Sequence, residues 1–159
     1  MFAGQSITLT RLEGPIAHLC FDRQGAGVNT LNRATLGELQ DVLSLLQDTV
    51  LEGLVISSAK RGFIAGADIS EFAALFSGAE AALGAWCHES NAVLTAFESL
   101  PFPTVSLLQG HALGGGLEFA LCTDYRIATP DAVLGFPETG LGICRFDREV
   151  ACRTDRLSS

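Results

Sequence analysis

Closely spaced cysteine pairs are absent from the sequence. Its five cysteines form no C-x-x-C motif, and their number is odd. This pattern argues against a zinc knuckle and against a disulfide framework. It fits a protein that is kept in a reducing compartment, and we therefore expect a cytoplasmic location.

An excess of positive charge and a long apolar run are also lacking. Eighteen acidic residues outnumber ten basic ones, which gives a formal net charge of −8. An acidic chain has no general electrostatic attraction to nucleic acid or to an anionic membrane. No apolar stretch approaches the roughly 20 residues that a membrane-spanning helix needs, and no signal-peptide pattern opens the chain. We expect no nucleic-acid partner and no membrane span.

Several motifs of common enzyme chemistries are missing. The sequence has neither the G-x-S-x-G element of a serine hydrolase nor a G-x-x-x-x-G-K-[ST] phosphate loop. The glycine run Gly114-Gly115-Gly116 does not follow the spacing of a dinucleotide-binding turn. His18 and His88 have no metal-ligand spacing with an acid or a cysteine. We expect no metal ion.

The composition describes a folded chain of one domain. Of 159 residues, 48% are hydrophobic and 18% are charged, which provides a core and argues against disorder. Apolar residues spaced by three and four predict a helix after an N-cap at Asn32, with one apolar face made of Leu36, Leu39, Leu43, Leu46 and Val50. A strand-helix-strand order predicts a β-α-β crossover. The fold class is therefore α/β. The predicted strands are 6–12, 16–21, 54–56, 104–108 and 125–128, and the predicted helices are 33–50, 79–100 and one that starts at 117.

Two glycine-containing turns follow predicted buried strands. The first comprises residues 62–69 and the second residues 110–118. Ligands bind at the carboxyl ends of strands in an open α/β sheet, and glycine lets a ligand approach backbone N–H groups. Two facing turns would form an oxyanion hole, which holds a carbonyl oxygen as it gains charge. The plainer interpretation, in which the glycines only make tight turns, stays open.

Two glutamates accompany these glycine segments. Glu118 lies three residues after Gly115 among apolar residues, and Glu138 precedes a further glycine turn. Two carboxyl groups in one apolar cleft can divide the roles of general base and general acid. The alternative for each glutamate is an ordinary solvated position at the surface.

Three segments, in this order, resemble the crotonase (enoyl-CoA hydratase/isomerase) superfamily. They are Phe-Ile-Ala-Gly-Ala-Asp-Ile at 63–69, His-Ala-Leu-Gly-Gly-Gly-Leu-Glu at 111–118 and Phe-Pro-Glu-Thr-Gly-Leu-Gly-Ile at 136–143. Residues 29–31, 65–72 and 123–130 are particularly similar to the N-terminal domain of the bacterial multifunctional fatty-acid oxidation alpha subunit. The resemblance implies a crotonase-like spiral of β-β-α units whose C-terminal part is missing.

The resemblance also implies a reaction and a site. The backbone N–H groups of Ala67 and Gly115 would polarise the thioester carbonyl of an acyl-CoA. Glu118 as base and Glu138 as acid would add water to a trans-2-enoyl-CoA, in fatty-acid β-oxidation. The carbonyl of Ala65 would meet the adenine of coenzyme A. The other expected substrate contacts are Gly66, Asp68, Ile69 and Gly114. No metal or redox cofactor is implied; full-length relatives are oligomeric, in some cases with a thiolase subunit.

The last sixteen residues depart from the family pattern. Residues 1–143 resemble a partial crotonase-like acyl-CoA domain, whereas residues 144–159 contain no glycine and four of the ten basic residues. We expect 144–159 to be a non-family tail, either disordered or derived from a frameshift. Three functions stay open: hydration, which the two acids favour; isomerisation or hydrolysis of another CoA thioester; and an inactive fragment that at most binds coenzyme A or an intact homologue.

Overall fold

The computed structural model describes residues 1–68, 70–71 and 80–137. Within these ranges the chain forms two sheets and three helices. The main sheet contains β1 (Phe2–Ala3), β2 (Ile7–Arg11), β3 (Ile16–Phe21), β4 (Gly53–Ser58), β5 (Thr104–Leu108) and β7 (Tyr125–Ala128), hydrogen-bonded in that order. The smaller sheet pairs β6 (His111–Leu113) with β8 (Val133–Gly135). The helices are α1 (Arg33–Gln47), α2 (Glu80–Glu98) and α3 (Gly115–Leu121).

The main sheet combines a hairpin with parallel strands. β2 and β3 are antiparallel neighbours joined by a short turn, whereas β3, β4, β5 and β7 run parallel to one another. Parallel neighbours need a long crossover connection. α1 provides it between β3 and β4, so the β-α-β unit expected from the sequence is confirmed, and α2 lies between β4 and β5 in the chain.

In β3, β4 and β5 the side chains of one face are almost all buried, whereas those of the other face are only partly buried. Leu54 and Ile56 of β4 are buried, but Val55 between them is only half-buried. The fully apolar run at 54–56 predicts a strand that is buried on both faces, and this prediction is therefore wrong. Successive side chains of a strand point to opposite faces, and the core packs against the face that carries Leu54 and Ile56.

Helix α1 begins where the sequence predicts it and ends earlier. The Asn32 side-chain oxygen accepts the Thr35 N–H at 2.8 Å, so the predicted N-cap is confirmed. The helix ends at Gln47, and Val50, which was expected on its apolar face, is 87% exposed. The Glu52 N–H already donates to the Pro15 carbonyl at 2.8 Å, because the chain must turn there to enter β4 beside β3.

Helix α2 packs its apolar stripe against the core and α3. The sequence spacing predicts one stripe of Leu83, Trp86, Ser90, Val93 and Phe97. The last four are buried, and the Leu83 side chain lies outside the described part of the structure. The Phe97 ring meets the Phe119 ring of α3 edge to face, with centroids 5.0 Å apart. α2 therefore covers the short helix that carries Glu118. None of the described helices is long and apolar enough to cross a membrane.

The segment after β5 differs from the sequence expectation. Residues 111–113 were predicted as loop but form β6, and β8 was not predicted at all. Each has three residues, which is too short for a visible alternation, and their pairing joins segments that are distant in the chain. α3 begins at Gly115 instead of 117. Glycine has a low helix propensity, so the sequence places the start of the helix too late. Gly116 is nevertheless helical, because its close packing against Ile64 leaves no room for a side chain.

Candidate active site

The two glycine-containing turns lie side by side. Ile64 and Ala112 form a parallel bridge, and the Leu113 N–H donates to the Ile64 carbonyl at 3.0 Å. Ala67 and Gly115 each follow these paired residues by three positions. The two turns therefore leave a common register in the same direction, which is the juxtaposition that a shared oxyanion hole requires.

Two glycines permit this close approach. A Cβ on Gly116 would overlap the Ile64 carbonyl oxygen and would lie 2.7 Å from the Ile64 Cβ. Gly66 has φ +110°, which side chains rarely tolerate, and a Cβ there would lie 3.3 Å from the Leu113 carbonyl oxygen. Both glycines thus allow the backbones of the two turns to come into contact, so their role is not limited to making tight turns.

The Ala67 backbone N–H points away from Leu31, the residue with which Ala67 pairs. On either side of Ala67, Leu31 donates to the Gly66 carbonyl at 2.9 Å and accepts the Asp68 N–H at 3.1 Å. In a parallel pairing the polar groups of adjacent residues alternate in direction. The Ala67 N–H therefore faces the opposite side from Leu31, and it donates no hydrogen bond to any described residue.

The Gly115 N–H belongs to the first residue of α3. The Gly114 carbonyl accepts the N–H groups of Leu117 and Glu118, each at 2.9 Å. The Gly114 N–H donates to the Gly135 carbonyl at 2.9 Å and is therefore engaged. In the described part of the chain the Gly115 N–H has no acceptor, as is usual at the start of a helix.

Glu118 is buried in α3. Its exposed fraction is 5%, so the alternative of a solvated surface glutamate does not hold. Burial, and secondly the negative charge of Glu118, raise the pKa of the Cys87 thiol. Cys87 of α2 therefore lies near enough to Glu118 to respond to its charge, in a half-buried position against the core.

Asp68 is held by hydrogen bonds on both carboxylate oxygens. Its Oδ1 accepts the Ser70 hydroxyl at 2.6 Å and the Ser70 N–H at 3.2 Å. Its Oδ2 forms an ion pair with Arg23 Nη1 at 2.9 Å and lies 3.4 Å from the Thr30 hydroxyl. The Ser70 hydroxyl is the largest cause that lowers the pKa of Asp68, and Arg23 contributes to the same direction.

The remaining residues of the predicted site are distributed as follows. Ala65 is exposed, its N–H donates to the Asn29 carbonyl at 2.9 Å, and its carbonyl accepts no hydrogen bond from a described residue. Ile69 and Glu138 lie outside the described residues, and so does the predicted tail at 144–159. In the ranges that are described, His, Cys, Asp and Glu side chains form no group of three that could hold a metal ion.

Sequence reasoning missed the residues that support the first turn. The Asn29 amide is buried and donates to the Phe21 carbonyl at 3.2 Å, the Ser58 hydroxyl at 2.9 Å and the Phe63 carbonyl at 3.0 Å. Arg23 reaches Asp68 across 45 positions of the sequence. The only signal for this region was the family resemblance of residues 29–31, because no periodicity marks a loop residue that bonds so far away.

Comparison with known proteins gives consistent matches. Residues 12–153 match the family model described as enoyl-CoA hydratase/isomerase. An enoyl-CoA hydratase from Bacillus anthracis is 30% identical with a TM-score of 0.79, over 89% of this chain and 54% of that one. An enoyl-CoA hydratase from Thermoplasma volcanium is 30% identical with a TM-score of 0.80, over 90% and 56%. An enoyl-CoA hydratase/carnithine racemase from Magnetospirillum magneticum is 28% identical with a TM-score of 0.81, over 89% and 53%. The chain thus spans about half the length of these structures.

Proposed function

Because the chain belongs to the enoyl-CoA hydratase/isomerase family of the crotonase superfamily, we propose that it hydrates a trans-2-enoyl-CoA. The α/β crotonase-like fold expected from the sequence is confirmed by the family match and the structural neighbours. Hydration itself, and the residues that perform it, are our proposal. They rest on the chemistry that the described residues can support.

One observation carries the proposal: two backbone N–H groups that have no acceptor among the described residues lie in adjacent turns, and the second turn leads into the buried Glu118. The N–H groups of Ala67 and Gly115 belong to turns that share one register, and Glu118 follows Gly115 by one helical turn. Donors fixed in place stabilise an oxygen that gains charge, because they need no reorganisation during the reaction. A thioester carbonyl between the two turns would be polarised in this way.

The proposed reaction adds water across the double bond that is conjugated with this carbonyl. Glu118 takes a proton from water, whose oxygen forms a bond to Cβ of the enoyl group. The π electrons of the double bond move toward Cα and the thioester oxygen, where the Ala67 and Gly115 N–H groups stabilise the developing enolate. Cα then receives a proton, which we assign to Glu138, and the proton that Glu118 took from water passes to Glu138, which restores both carboxyl groups for the next turnover. The product is a 3-hydroxyacyl-CoA, and all atoms of water are retained.

Substrate binding follows from the same arrangement. The adenine of coenzyme A would meet the exposed carbonyl of Ala65, and the segments at Gly66, Asp68, Ile69 and Gly114 would line the path to the thioester. The Gly114 N–H is already bonded to the Gly135 carbonyl. Gly114 would therefore contribute to substrate binding through its lack of a side chain. Coenzyme A enters here as part of the substrate, and no separate cofactor is proposed.

The proposal is tested by incubating the purified chain with crotonyl-CoA and following the absorbance of the conjugated enoyl thioester. Hydration removes the conjugation, so the absorbance should fall with time and the 3-hydroxyacyl product should appear by mass spectrometry. A melting curve with and without acyl-CoA establishes that the protein is folded and binds its ligand. A folded, ligand-binding chain that leaves crotonyl-CoA unchanged contradicts hydration.

Isomerisation is the second candidate function. Glu118 is a buried carboxylate, and a single buried carboxylate suffices to move a proton between two carbon atoms. A 3-enoyl-CoA is the test substrate, because its conversion to the conjugated 2-enoyl isomer raises the absorbance that hydration removes. Binding without turnover of either thioester identifies a chain that only binds acyl-CoA.

The cellular setting is proposed from the sequence resemblance alone. The similarity of residues 29–31, 65–72 and 123–130 to the fatty-acid oxidation alpha subunit supports a role in fatty-acid β-oxidation in the cytoplasm. The same resemblance supports an oligomeric assembly that includes a thiolase subunit. Co-elution of the chain with such a subunit in size-exclusion chromatography tests the association, and separate elution at micromolar concentrations argues against it.

A further inference from the structure

A polar network outside the proposed catalytic groups connects the segment that contains Thr30 with the segment that contains Ala67 and Asp68. Arg23 Nη1 donates to the Thr30 hydroxyl at 2.5 Å and to Asp68 Oδ2 at 2.9 Å. Thr30 precedes Leu31, and Asp68 follows Ala67 directly in the chain. One nitrogen of Arg23 therefore joins the two segments whose backbones pair across Leu31 and Ala67.

The backbone contacts explain how this network acts on the Ala67 peptide. Leu31 binds the residues on both sides of Ala67, through the Gly66 carbonyl and the Asp68 N–H. The Asp68 side chain then fixes the far end of the segment, since Ser70 binds one carboxylate oxygen and Arg23 the other. Without Arg23, the segment keeps the two Leu31 bonds and the Ser70 bonds, but the Asp68 carboxylate loses its ion pair and retains only the 3.4 Å contact with the Thr30 hydroxyl on Oδ2.

The start of the first glycine-containing turn, at Ala65, is held without the Arg23 side chain. The Arg23 N–H donates to the Asn29 side-chain oxygen at 3.0 Å, and the Ala65 N–H donates to the Asn29 carbonyl at 2.9 Å. Neither bond involves the Arg23 guanidinium, so the guanidinium does not hold the start of the turn. Substitution of the Arg23 side chain should therefore loosen the end of the turn, near Ala67 and Asp68, while its beginning stays in place.

Stability alone gives a weak reason for this ion pair. The side chains of Arg23 and Asp68 are 29% and 17% exposed, and ion pairs in contact with solvent contribute little to folding. The described residues contain a comparable pair, Lys60 with Asp22 at 2.8 Å, that contacts neither turn amide. It provides a matched control, because any effect common to both pairs reflects general stability.

We propose that Arg23 is a positioning residue of the oxyanion hole, which holds the Ala67 N–H in its reactive orientation by fixing Asp68 and Thr30 together. The proposal rests on the proposed function, because it assigns Ala67 to the oxyanion hole. Arginine suits the role because its planar fork keeps a fixed direction toward two acceptors, whereas a lysine ammonium is a rotating point charge. Arg23 itself does not contact the substrate.

The kinetic test compares Arg23→Met, Arg23→Lys and the control Asp22→Asn in the crotonyl-CoA assay. Misplacement of one oxyanion donor weakens an interaction that strengthens in the transition state, so Arg23→Met should lower kcat about tenfold or more and change KM by less than about threefold. Arg23→Lys should recover part of kcat, and Asp22→Asn should leave kcat within about twofold of the wild type. An equal loss of kcat in Asp22→Asn and Arg23→Met, or no loss in either, overturns the proposal.

A second test does not require turnover. Amide hydrogen exchange by NMR reports the opening of the Leu31 and Asp68 N–H bonds, and Arg23→Met should speed exchange at both by about tenfold while β3 and β4 stay unchanged. If Leu31 and Asp68 exchange in Arg23→Met at the same rates as in the wild type, the inference is overturned, even when the enzyme is active. If the wild type lacks hydratase activity, the proposed function fails while the exchange result still decides whether Arg23 holds this peptide. If Arg23→Met does not fold, Arg23→Lys serves in the same comparison.

Discussion

Gly116 of α3 and Ile64 of the first turn are in direct backbone contact. The Gly116 Cα lies so close to the Ile64 carbonyl that a Cβ would overlap its oxygen. The same carbonyl accepts the Leu113 N–H at 3.0 Å. This single peptide therefore sets the separation between the two turns that carry the Ala67 and Gly115 amides.

Substitution of Gly116 by alanine should separate the two turns. The added methyl group meets backbone, which cannot rotate away, so we expect a loss of about 1–3 kcal/mol in the free energy of unfolding and a large loss of hydratase activity. Gly37→Ala in α1 is the control, because nothing lies within 4 Å of its Cβ position. That change should raise the free energy of unfolding, since alanine favours helix. Urea denaturation and the crotonyl-CoA assay measure both effects, and an active, equally stable Gly116→Ala variant contradicts the proposed role of this contact.

Substitution of Glu118 by glutamine removes the proposed base and keeps its shape. We expect the hydration rate to fall by roughly 10²–10⁴ fold, which is the usual contribution of a positioned base, while acyl-CoA binding persists. The exposed Glu52→Gln is the control and should leave the rate unchanged. Near-normal turnover in Glu118→Gln would remove this residue from the mechanism. The same substitution at Glu138 tests its proposed partner.

The Cys87 thiol should report the charge of Glu118. Burial and the nearby carboxylate both favour the neutral thiol, so Cys87 should react with iodoacetamide only at a higher pH than an ordinary cysteine. Glu118→Gln removes the second cause and should shift the pH profile of the Cys87 reaction downward, toward but not to that of an exposed thiol. Peptide mass spectrometry follows Cys87 separately from the other cysteines. An unchanged profile would show that the two groups are not neighbours.

The hydrogen bonds of Asp68 should appear in the acid dependence of stability. Because the folded state lowers the pKa of Asp68, its contribution is present at neutral pH and is lost as the pH falls from about 4 through the folded value. The wild type should therefore exceed Asp68→Asn in the free energy of unfolding at pH 7, and the gap should narrow toward pH 3. Ser70→Ala should raise the pKa of Asp68, whereas Ser44→Ala, on the exposed side of α1, should not. A gap that is independent of pH contradicts this assignment.

The sequence predicts most elements whose signal is local. The N-cap at Asn32 and the strand at 104–108 depend on nearby residues, and the structure confirms both. Val50 fits the three-four spacing of α1 but lies beyond its end, because periodicity does not register where the chain must turn into β4. β6 and β8 depend on each other across the chain, and neither is long enough to be recognised alone.

The same division applies to the site. The two turns and Glu118 could be found from glycine spacing and the family resemblance, since both are written in short contiguous segments. Arg23 could not, because its meaning depends on Asp68, which the fold brings within 2.9 Å from a distant segment. Cys87 likewise gains its relation to Glu118 only when α2 packs against α3.

The central claim is that the Ala67 and Gly115 amides bind the thioester oxygen together. Titration of the ¹⁵N-labelled protein with a non-reactive acyl-CoA measures this directly, with free coenzyme A as the reference ligand. The claim predicts that both amide protons move downfield with acyl-CoA and that neither shifts comparably with free coenzyme A, which lacks the thioester carbonyl. Saturable acyl-CoA binding with both amide resonances unmoved would contradict it.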